Sequence, residues 1–182
     1  MADQGYLIRR TWAMPTADTF KCKPIGEFVR RFCRGDSYDP FARNSSVAKY
    51  TNDLDPSTCA TWHMDAEKWL SMMADTGNKA DCIIMDPPYS PRQISECYAA
   101  AGLKAGMADT QNAALYARVR RAARRLCKAG TTVLSFGWNS CGMGKGFERV
   151  ELLLVAHGGA HNDTICLAES YVGSSDIRGG LT

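Results

Sequence analysis

The pattern of apolar and polar positions along this chain alternates between strand-like apolar runs and apolar residues at helical spacing. This alternation predicts strands that alternate with helices. A short, continuous apolar run at residues 82–85 is typical of a strand buried on both faces. After Pro24, apolar residues recur at helical spacing as far as Cys33, which predicts a helix stopped by Gly35. Further strands are predicted at residues 47–53, 131–136, 147–156 and 164–172, with a brief one from residue 61.

Three more helices are predicted at residues 66–73, 91–101 and 113–128. The last is rich in alanine and has apolar residues near helical spacing on one face: Leu115, Val119, Ala122, Ala123 and Leu126. Its other face carries Arg118, Arg120, Arg121, Arg124 and Arg125. Five arginines suggest nucleic-acid binding, but a solvated helix face is the more common explanation of such a pattern.

The order of these elements predicts an α/β fold. Strands alternate with helices and end in a hairpin with a seven-residue loop, which predicts a mostly parallel seven-stranded sheet with one antiparallel strand, flanked by helices. Residues 1–19 are interpreted as an irregular, polar N-terminal arm, and residues 20–172 as the single domain. Residues 103–112 are predicted to form a mobile connection, and residues 173–182 a flexible, glycine-rich tail.

Composition narrows the class of protein. The chain has 182 residues, of which 45% are hydrophobic and 23% charged, as expected for one globular domain. No apolar stretch reaches the roughly 18 residues needed to span a membrane, and no signal peptide is recognised. Eight cysteines occur without CxxC pairs, which favours reduced thiols and a cytoplasmic location. The net charge of +3 permits nucleic-acid binding through a local patch without demonstrating it.

Candidate chemistry is concentrated in the loop after residues 82–85, which reads Asp86-Pro87-Pro88-Tyr89. The carboxyl ends of parallel strands are where ligands bind in open α/β sheets. Two prolines stiffen the loop and remove two N–H donors, so its carboxylate and carbonyl acceptors can face a ligand amine. The plainer interpretation is a strand followed by a rigid turn with a surface tyrosine.

This loop resembles the catalytic motif of the S-adenosylmethionine-dependent amino-methyltransferases that modify adenine N6 in DNA, and the chain is most similar to the small enzymes of bacteria and their phages. The resemblance implies a Rossmann-like methyltransferase fold, S-adenosylmethionine as cofactor, DNA as partner, and the cytoplasm of a bacterial or phage-infected cell. It covers residues 18–172 and leaves no segment for a separate target-recognition domain. It implies neither a metal nor a membrane partner, and a homodimer is compatible with it.

The same resemblance implies a set of cofactor contacts. Asp39-Pro40-Phe41 is similar to the start of the family's Asp-Pro-Phe-x-Gly-x-Gly loop, although its glycines are replaced by Ala42, Asn44 or their neighbours. Phe20 and the turn at Pro24 and Ile25 resemble the segment beside the methionine end of the cofactor. Asp65 resembles the acceptor of the cofactor's adenine amine, and is equally suited to cap the helix after it. Asp86 would border the cofactor as well as the substrate.

The ribose hydroxyls need an acidic residue at the end of the second parallel strand. Asp53 takes that position best, with Asp55 in reserve, and Asp55 or Ser57 is also suited to start the next helix. His157 and His161 lie in a hairpin loop and not on a helix, so a metal site is not predicted. Substrate contacts are predicted at Arg92, Asn139, Lys145, His161 and Asn162.

The predicted reaction is direct attack by the adenine amine on the sulfonium methyl group. Asp86 and the carbonyl of Pro87 would accept the two N–H bonds of the amine, and Tyr89 would stack on a base extruded from the duplex. Three alternatives stay open: an RNA adenine-N6 methyltransferase, a non-catalytic partner subunit that binds the cofactor, and a plain basic nucleic-acid-binding module.

Overall fold

The computed structural model describes residues 5–104 and 112–173, without the side chains of residues 112 and 113. Four α-helices occur in this part of the chain: α1 (Lys23–Phe32), α2 (Ala66–Asp75), α3 (Pro91–Ala100) and α4 (Asn112–Leu126). A short 3-10 turn, Thr19–Lys21, precedes α1. The strands are β1 (Leu7–Trp12), β2 (Ser37–Asp39), β3 (Tyr50–Thr51), β4 (Ala80–Met85), β5 (Cys127–Gly137), β6 (Phe147–Ala156) and β7 (Thr164–Tyr171).

The strands form one seven-stranded sheet in the order β1-β6-β7-β5-β4-β2-β3. Strand β7 is antiparallel to both of its neighbours, β5 and β6, and the other pairs are parallel. The prediction of a mostly parallel seven-stranded sheet with an antiparallel C-terminal hairpin is therefore confirmed. Strands β2, β4 and β5 run side by side in the same direction, so their carboxyl ends share one edge of the sheet.

Helices cover both faces of the sheet, and β4 shows why its sequence is continuously apolar. Cys82 and Ile84 face the cluster that contains α1, whereas Ile83 and Met85 face the cluster that contains α2 and α4. Both faces of the strand are thus removed from water, as predicted. The apolar face predicted for the arginine-rich helix is also correct, since all five of its residues are buried: Leu115, Val119, Ala122, Ala123 and Leu126.

Gly35 follows α1, which ends earlier than predicted, at Phe32 with Cys33 as its cap residue. The Gly35 backbone has a φ of 62°, in the left-handed region that glycine adopts readily. A Cβ atom at this position would also collide with the side chain of Asp81. That carboxylate accepts a hydrogen bond from the Asp36 backbone at 2.8 Å and pairs with Lys128 at 2.6 Å. The turn between α1 and β2 is therefore closed against the start of β4.

Three of the predicted boundaries are wrong. Residues 1–19 are not irregular throughout, because β1 pairs in parallel with β6 at the edge of the sheet. The brief strand expected from residue 61 is reduced to one isolated bridge, between Asn52 and Trp62. The predicted helix stop at residues 128–130 belongs to β5, which begins directly after α4. The connection at residues 103–112 and the tail at 173–182 fall almost entirely outside the described residues.

The arginine face of α4 is engaged with the rest of the chain. Arg118 pairs with Glu67 of α2 at 2.9 Å, and Arg125 pairs with Asp75 at the other end of the same helix. Arg120 donates to the Cys141 carbonyl at 2.9 Å, and the Arg124 guanidinium lies 5.2 Å from the ring centre of Phe147. These contacts favour a structural role for this face over a nucleic-acid interface. Within residues 5–104 and 112–173, no helix is long and apolar enough to cross a lipid bilayer.

Candidate active site

A cavity of about 730 Å³ opens at the carboxyl edge of β2, β4 and β5. The loop after β4 forms one wall through residues 86–89, and the loop after β2 forms another through Pro40, Phe41 and Arg43. The β6–β7 hairpin loop closes a third side. The predicted site residues that line the cavity are Ile25, Pro40, Phe41, Asp53, Asp55, Asp65, Asp86, Pro87, Pro88, Tyr89, His161 and Asn162.

Asp86 stands where β4 ends and its side chain lines the cavity. The hydroxyl of Tyr89, three residues further on, donates a hydrogen bond to Asp86 Oδ1. Burial raises the pKa of this carboxyl, and the hydrogen bonds from Tyr89 and Thr19 counteract part of that rise. A carboxylate of raised pKa beside a cavity is a good acceptor for the proton of a ligand amine.

Tyr89 is held in place by the loop that it belongs to. Its backbone N–H donates to the Gln93 side chain at 2.7 Å, and its ring centre lies 5.5 Å from that of Trp138. Tyr116 donates to the carbonyl of Pro88 at 2.9 Å and so fixes the middle of the same loop from α4. In this arrangement the Tyr89 hydroxyl occupies an acceptor position of Asp86 that the predicted mechanism assigns to the substrate amine.

Trp138 is a site residue that the sequence interpretation missed. It follows the last residue of β5, lines the cavity, and leaves 45% of its surface exposed. An exposed tryptophan at the carboxyl end of a parallel strand is itself a ligand-binding signal. Together with Tyr89 it gives the cavity an aromatic corner.

Asp39, a predicted cofactor contact, is fully buried at the end of β2, next to β4 in the sheet, and does not itself line the cavity. Its Oδ1 accepts the backbone N–H of Phe41 at 3.0 Å, whereas its Oδ2 has no hydrogen-bond partner. Burial raises the pKa of Asp39 well above its usual range, and the nearby Asp86 raises it further. A buried carboxylate with an unpartnered oxygen fits a ligand that carries a cationic N–H group.

The loop after β2 keeps a glycine-like backbone without glycine. Arg43 has a φ of 49°, and no other non-glycine residue among residues 5–104 and 112–173 has a positive φ. The sequence interpretation expected Ala42, Asn44 or their neighbours to replace the glycines, and the structure assigns the left-handed position to Arg43. The Arg43 N–H donates to Asp53 Oδ2 at 2.9 Å, and the Asp55 N–H donates to Asp53 Oδ1 at 2.9 Å. Asp53 therefore fixes the conformation of the loop after β2, and it also lines the cavity.

Asp55 and Asp65 both line the cavity and both have local structural roles. Asp55 accepts the Ser57 N–H at 2.8 Å, and this bond is the main reason that the pKa of Asp55 is lowered. Asp65 caps α2 by accepting the Lys68 N–H at 3.1 Å, as one of its two predicted roles required. Each carboxylate keeps lone pairs for a ligand, so capping and ligand binding are compatible.

Asn52 is a second residue that the sequence interpretation did not single out. It is fully buried behind the cavity, where its amide nitrogen donates to the carbonyls of Pro40 at 3.2 Å and Met64 at 2.9 Å. Its amide oxygen accepts the Met64 N–H at 3.0 Å. One side chain thus joins two loops that line the cavity, those after β2 and before α2.

Replacing Asn52 with alanine is expected to lower the free energy of unfolding by about 2–4 kcal/mol, because buried backbone groups in both loops lose their partner. Urea denaturation followed by circular dichroism measures the change. Asn78→Ala is the matched control, since Asn78 makes only an exposed contact with Thr76. It should change stability by less than about 0.5 kcal/mol. Equal effects of the two substitutions would show that the connection through Asn52 is dispensable.

The predicted methionine-end segment reaches the cavity only in part. Ile25 lines it, whereas Pro24 lies in the first turn of α1 away from the lining. Phe20 packs its ring edge against Phe136, with 5.3 Å between ring centres, and supports the sheet beneath the site. Thr19, the first residue of the 3-10 turn, and Cys22, which follows the turn, line the cavity in their place.

Only two of the five predicted substrate residues line the cavity. His161 and Asn162 line the cavity from the hairpin loop. Arg92, at the start of α3, extends into solvent and pairs with Glu96 at 2.8 Å. Asn139 lies outside the lining and accepts the Cys141 N–H at 3.1 Å, which is a turn contact.

The prediction for Lys145 is wrong, because it lies at the opposite edge of the sheet. Strand β6 starts two residues later, at Phe147, which pairs with Tyr171 at the end of the antiparallel strand β7. Residue 170 in turn pairs with Thr132, near the start of β5. The segment after β5 therefore returns from the cavity edge to the other edge before β6 begins, and Lys145 comes at the end of that return.

His157 lines the cavity and connects the segments around it through hydrogen bonds. It is buried, with one ring nitrogen 2.7 Å from the Ala13 carbonyl and the other 2.8 Å from the Thr164 hydroxyl. It thereby joins the segment after β1 to both ends of the β6–β7 loop. Among residues 5–104 and 112–173, no group of three or more His, Cys, Asp or Glu side chains is arranged to hold a metal ion.

All eight cysteines are free thiols that form no disulfide bond, and four of them are buried in the core or beside it: Cys22, Cys82, Cys127 and Cys166.

Comparison of the chain with protein-family models found no matching family, and a search of curated proteins found no relative.

Proposed function

We propose that this protein transfers a methyl group from S-adenosylmethionine to the N6 amine of adenine in DNA, on a Rossmann-like methyltransferase fold. The observation that carries the proposal is the pair of carboxylates at neighbouring strand ends, fully buried at Asp39 and half-buried at Asp86. Asp39 has an oxygen with no partner and directly precedes Pro40, which lines the cavity, and Asp86 lines the same cavity from a loop of two prolines and a tyrosine. One carboxylate suits a cationic cofactor and the other suits the amine of a base.

The residues around the cavity fit S-adenosylmethionine. The unpartnered oxygen of Asp39 would accept an N–H of the cofactor's ammonium group, and Asp53 would accept the ribose hydroxyls. Asp65, at the far end of the lining, would accept from the adenine amine, while Phe41 and Ile25 supply apolar surface. When bound, this cofactor supplies a methyl group activated by a positively charged sulfur.

The residues of the Asp86 loop would position and activate the adenine. Asp86 would accept an N–H of the exocyclic amine and hold the proton that this nitrogen releases, a role that its raised pKa favours. The Tyr89 hydroxyl now donates to the same carboxylate, so the incoming amine would replace it. Tyr89 and Trp138 would then enclose the extruded base, and the hairpin residues His161 and Asn162 would contact its edge.

Two measurements test the proposal. Calorimetry with S-adenosylmethionine should show binding to the free protein, and absence of binding would refute the proposal together with its alternative of a non-catalytic partner subunit. Methyl transfer from labelled cofactor to matched DNA and RNA oligonucleotides, each with and without adenine, then identifies the substrate. Transfer to RNA alone would replace DNA by RNA and leave the rest of the mechanism in place.

Substrate contact through Arg92 can be tested by salt dependence. Arg92→Ala should weaken oligonucleotide binding and lower the slope of log affinity against log salt by about one unit, as expected when one phosphate contact is lost. Arg121→Ala removes the same charge from an exposed position on α4 and is the matched control. The helix ends at the opposite edge, where Arg125 pairs with Asp75, so the control should leave the slope unchanged. The reverse pattern would assign docking to α4.

A further inference from the structure

We propose that Arg43 binds the α-carboxylate of the cofactor and makes the cavity select ligands that carry one. This inference rests on the proposed function, and it concerns a residue at which the chain departs from the glycine-containing loop that it otherwise resembles. Arg43 lines the cavity between the Asp53 side and the segment before α1.

The backbone at Arg43 is strained for an arginine. Residues with a side chain rarely adopt the left-handed region, and Arg43 holds a φ of 49° there. Its N–H donates to Asp53 at 2.9 Å, but any residue, glycine included, could donate that bond. The backbone contact therefore explains the conformation of the loop without explaining why the side chain is an arginine.

The charges around the cavity indicate what the side chain meets. Arg43 is the one arginine or lysine among the described residues that line it. The lining also contains five acidic residues: Asp53, Asp55, Asp65, Asp86 and Glu96. Such a surface attracts a ligand with positive charge and has one position at which a single anionic group is favourable. A sulfonium compound with an ammonium group and one carboxylate matches that distribution.

The guanidinium has hydrogen-bonding capacity to spare. Its Nη1 donates a hydrogen bond to the Ala17 carbonyl at 3.3 Å, whereas an arginine carries five N–H donors. Ala17 comes two residues before the 3-10 turn that leads into α1, and Thr16, Thr19 and Cys22 line the cavity there. The arginine thus spans from the loop after β2 to the segment before α1. There, a carboxylate would accept hydrogen bonds from the N–H groups along the edge of the guanidinium.

A phosphate of the nucleic acid is the less favourable partner for Arg43. Nucleic acid carries a row of negative charges, and the acidic residues around this guanidinium would repel them. Arg92, which extends into solvent, is free of that constraint apart from Glu96. The cavity therefore favours a small ligand with a single carboxylate at Arg43.

The test compares two ligands that differ only in this carboxylate, S-adenosylmethionine and its decarboxylated form, by calorimetry on the full chain. Arg43→Gly restores the residue that the backbone favours, so this variant should fold. It should weaken binding of S-adenosylmethionine by about 10- to 100-fold, as for loss of a hydrogen bond between charged groups. Binding of the decarboxylated form should be unchanged or stronger, because a positive charge has been removed near a more cationic ligand. Arg43→Lys should retain part of the discrimination.

The outcomes separate this inference from the proposed function. If the wild-type protein binds neither ligand, the proposed function and this inference are both refuted. If it binds S-adenosylmethionine and Arg43→Gly weakens both ligands equally, Arg43 only shapes the loop and the inference is wrong. If cofactor affinity is unchanged while oligonucleotide affinity falls, Arg43 contacts phosphate, and the inference is again wrong while the proposed function stands.

Discussion

Asp86→Ala is expected to reduce methyl transfer about a thousandfold while cofactor binding persists, within the range found when a proton acceptor or a charge-stabilising group is removed from an active site. The carboxylate lies at the end of β4 and lines the cavity, and burial raises its pKa. Removing it deprives the adenine amine of an acceptor and of a site for its released proton. Single-turnover transfer of labelled methyl groups measures the loss, and calorimetry measures cofactor affinity.

Asp86→Asn gives a sharper comparison, because it keeps the shape of the side chain and the Tyr89 contact but cannot take up a proton. It should lose nearly as much activity as the alanine variant. Asp75→Asn removes an exposed carboxylate that pairs with Arg125 away from the cavity, and should retain wild-type turnover. Near-normal turnover by a folded Asp86→Asn protein would show that the acidic group is not the proton acceptor, and the mechanism would have to be reassigned.

Periodicity predicted the elements of the fold whose apolar side chains are buried. Strand β4 and the C-terminal hairpin are correct, as is the apolar face of α4, because burial leaves a continuous apolar run or a helical repeat. Strand β1 was not predicted because nearly all of its residues are exposed and only Thr11 is partly buried. Edge strands often carry polar and charged residues, so alternation gives little warning of them. Six strands were placed individually along the chain. The sheet has seven because periodicity indicated neither β1 nor the three-residue β2, while the short strand expected from residue 61 is reduced to a bridge.

The location of the site was predictable because strand direction places carboxylates at one edge. Asp86 ends β4, whose apolar run was predicted from periodicity, whereas Asp39 was assigned only from the resemblance of residues 39–41 to a cofactor loop, since periodicity did not indicate β2. Lys145 could not be placed this way, because the sequence does not reveal that the chain crosses to the other edge before β6. Arg43 was missed for a different reason, since a left-handed backbone at an arginine runs against the conformational preference from which loops are predicted.

Asp39→Asn is expected to change stability and cofactor binding in opposite directions. Burial raises the pKa of Asp39 well above the value of about 3.9 that an unfolded aspartate has. Between those two values the folded protein binds more protons than the unfolded chain, so the contribution of Asp39 to stability falls as pH rises. Above the pKa of the unfolded aspartate, folding therefore requires either a bound proton or a buried charge at Asp39, and asparagine removes that cost.

Urea denaturation between pH 4 and 8 should show Asp39→Asn to be more stable than wild type at pH 7, with the difference shrinking towards pH 4, where the aspartate of the unfolded chain also takes up its proton. Calorimetry should show cofactor binding weakened by roughly 10- to 100-fold, because the ammonium group loses its charged acceptor. Asp39→Ala additionally loses the bond from the Phe41 N–H and should be less stable than Asp39→Asn. A variant that is destabilised equally at every pH, and binds cofactor normally, would mean that Asp39 serves the loop alone. The opposite signs are the mark of a group retained for its ligand, which the Asp39 oxygen that has no hydrogen-bond partner would contact.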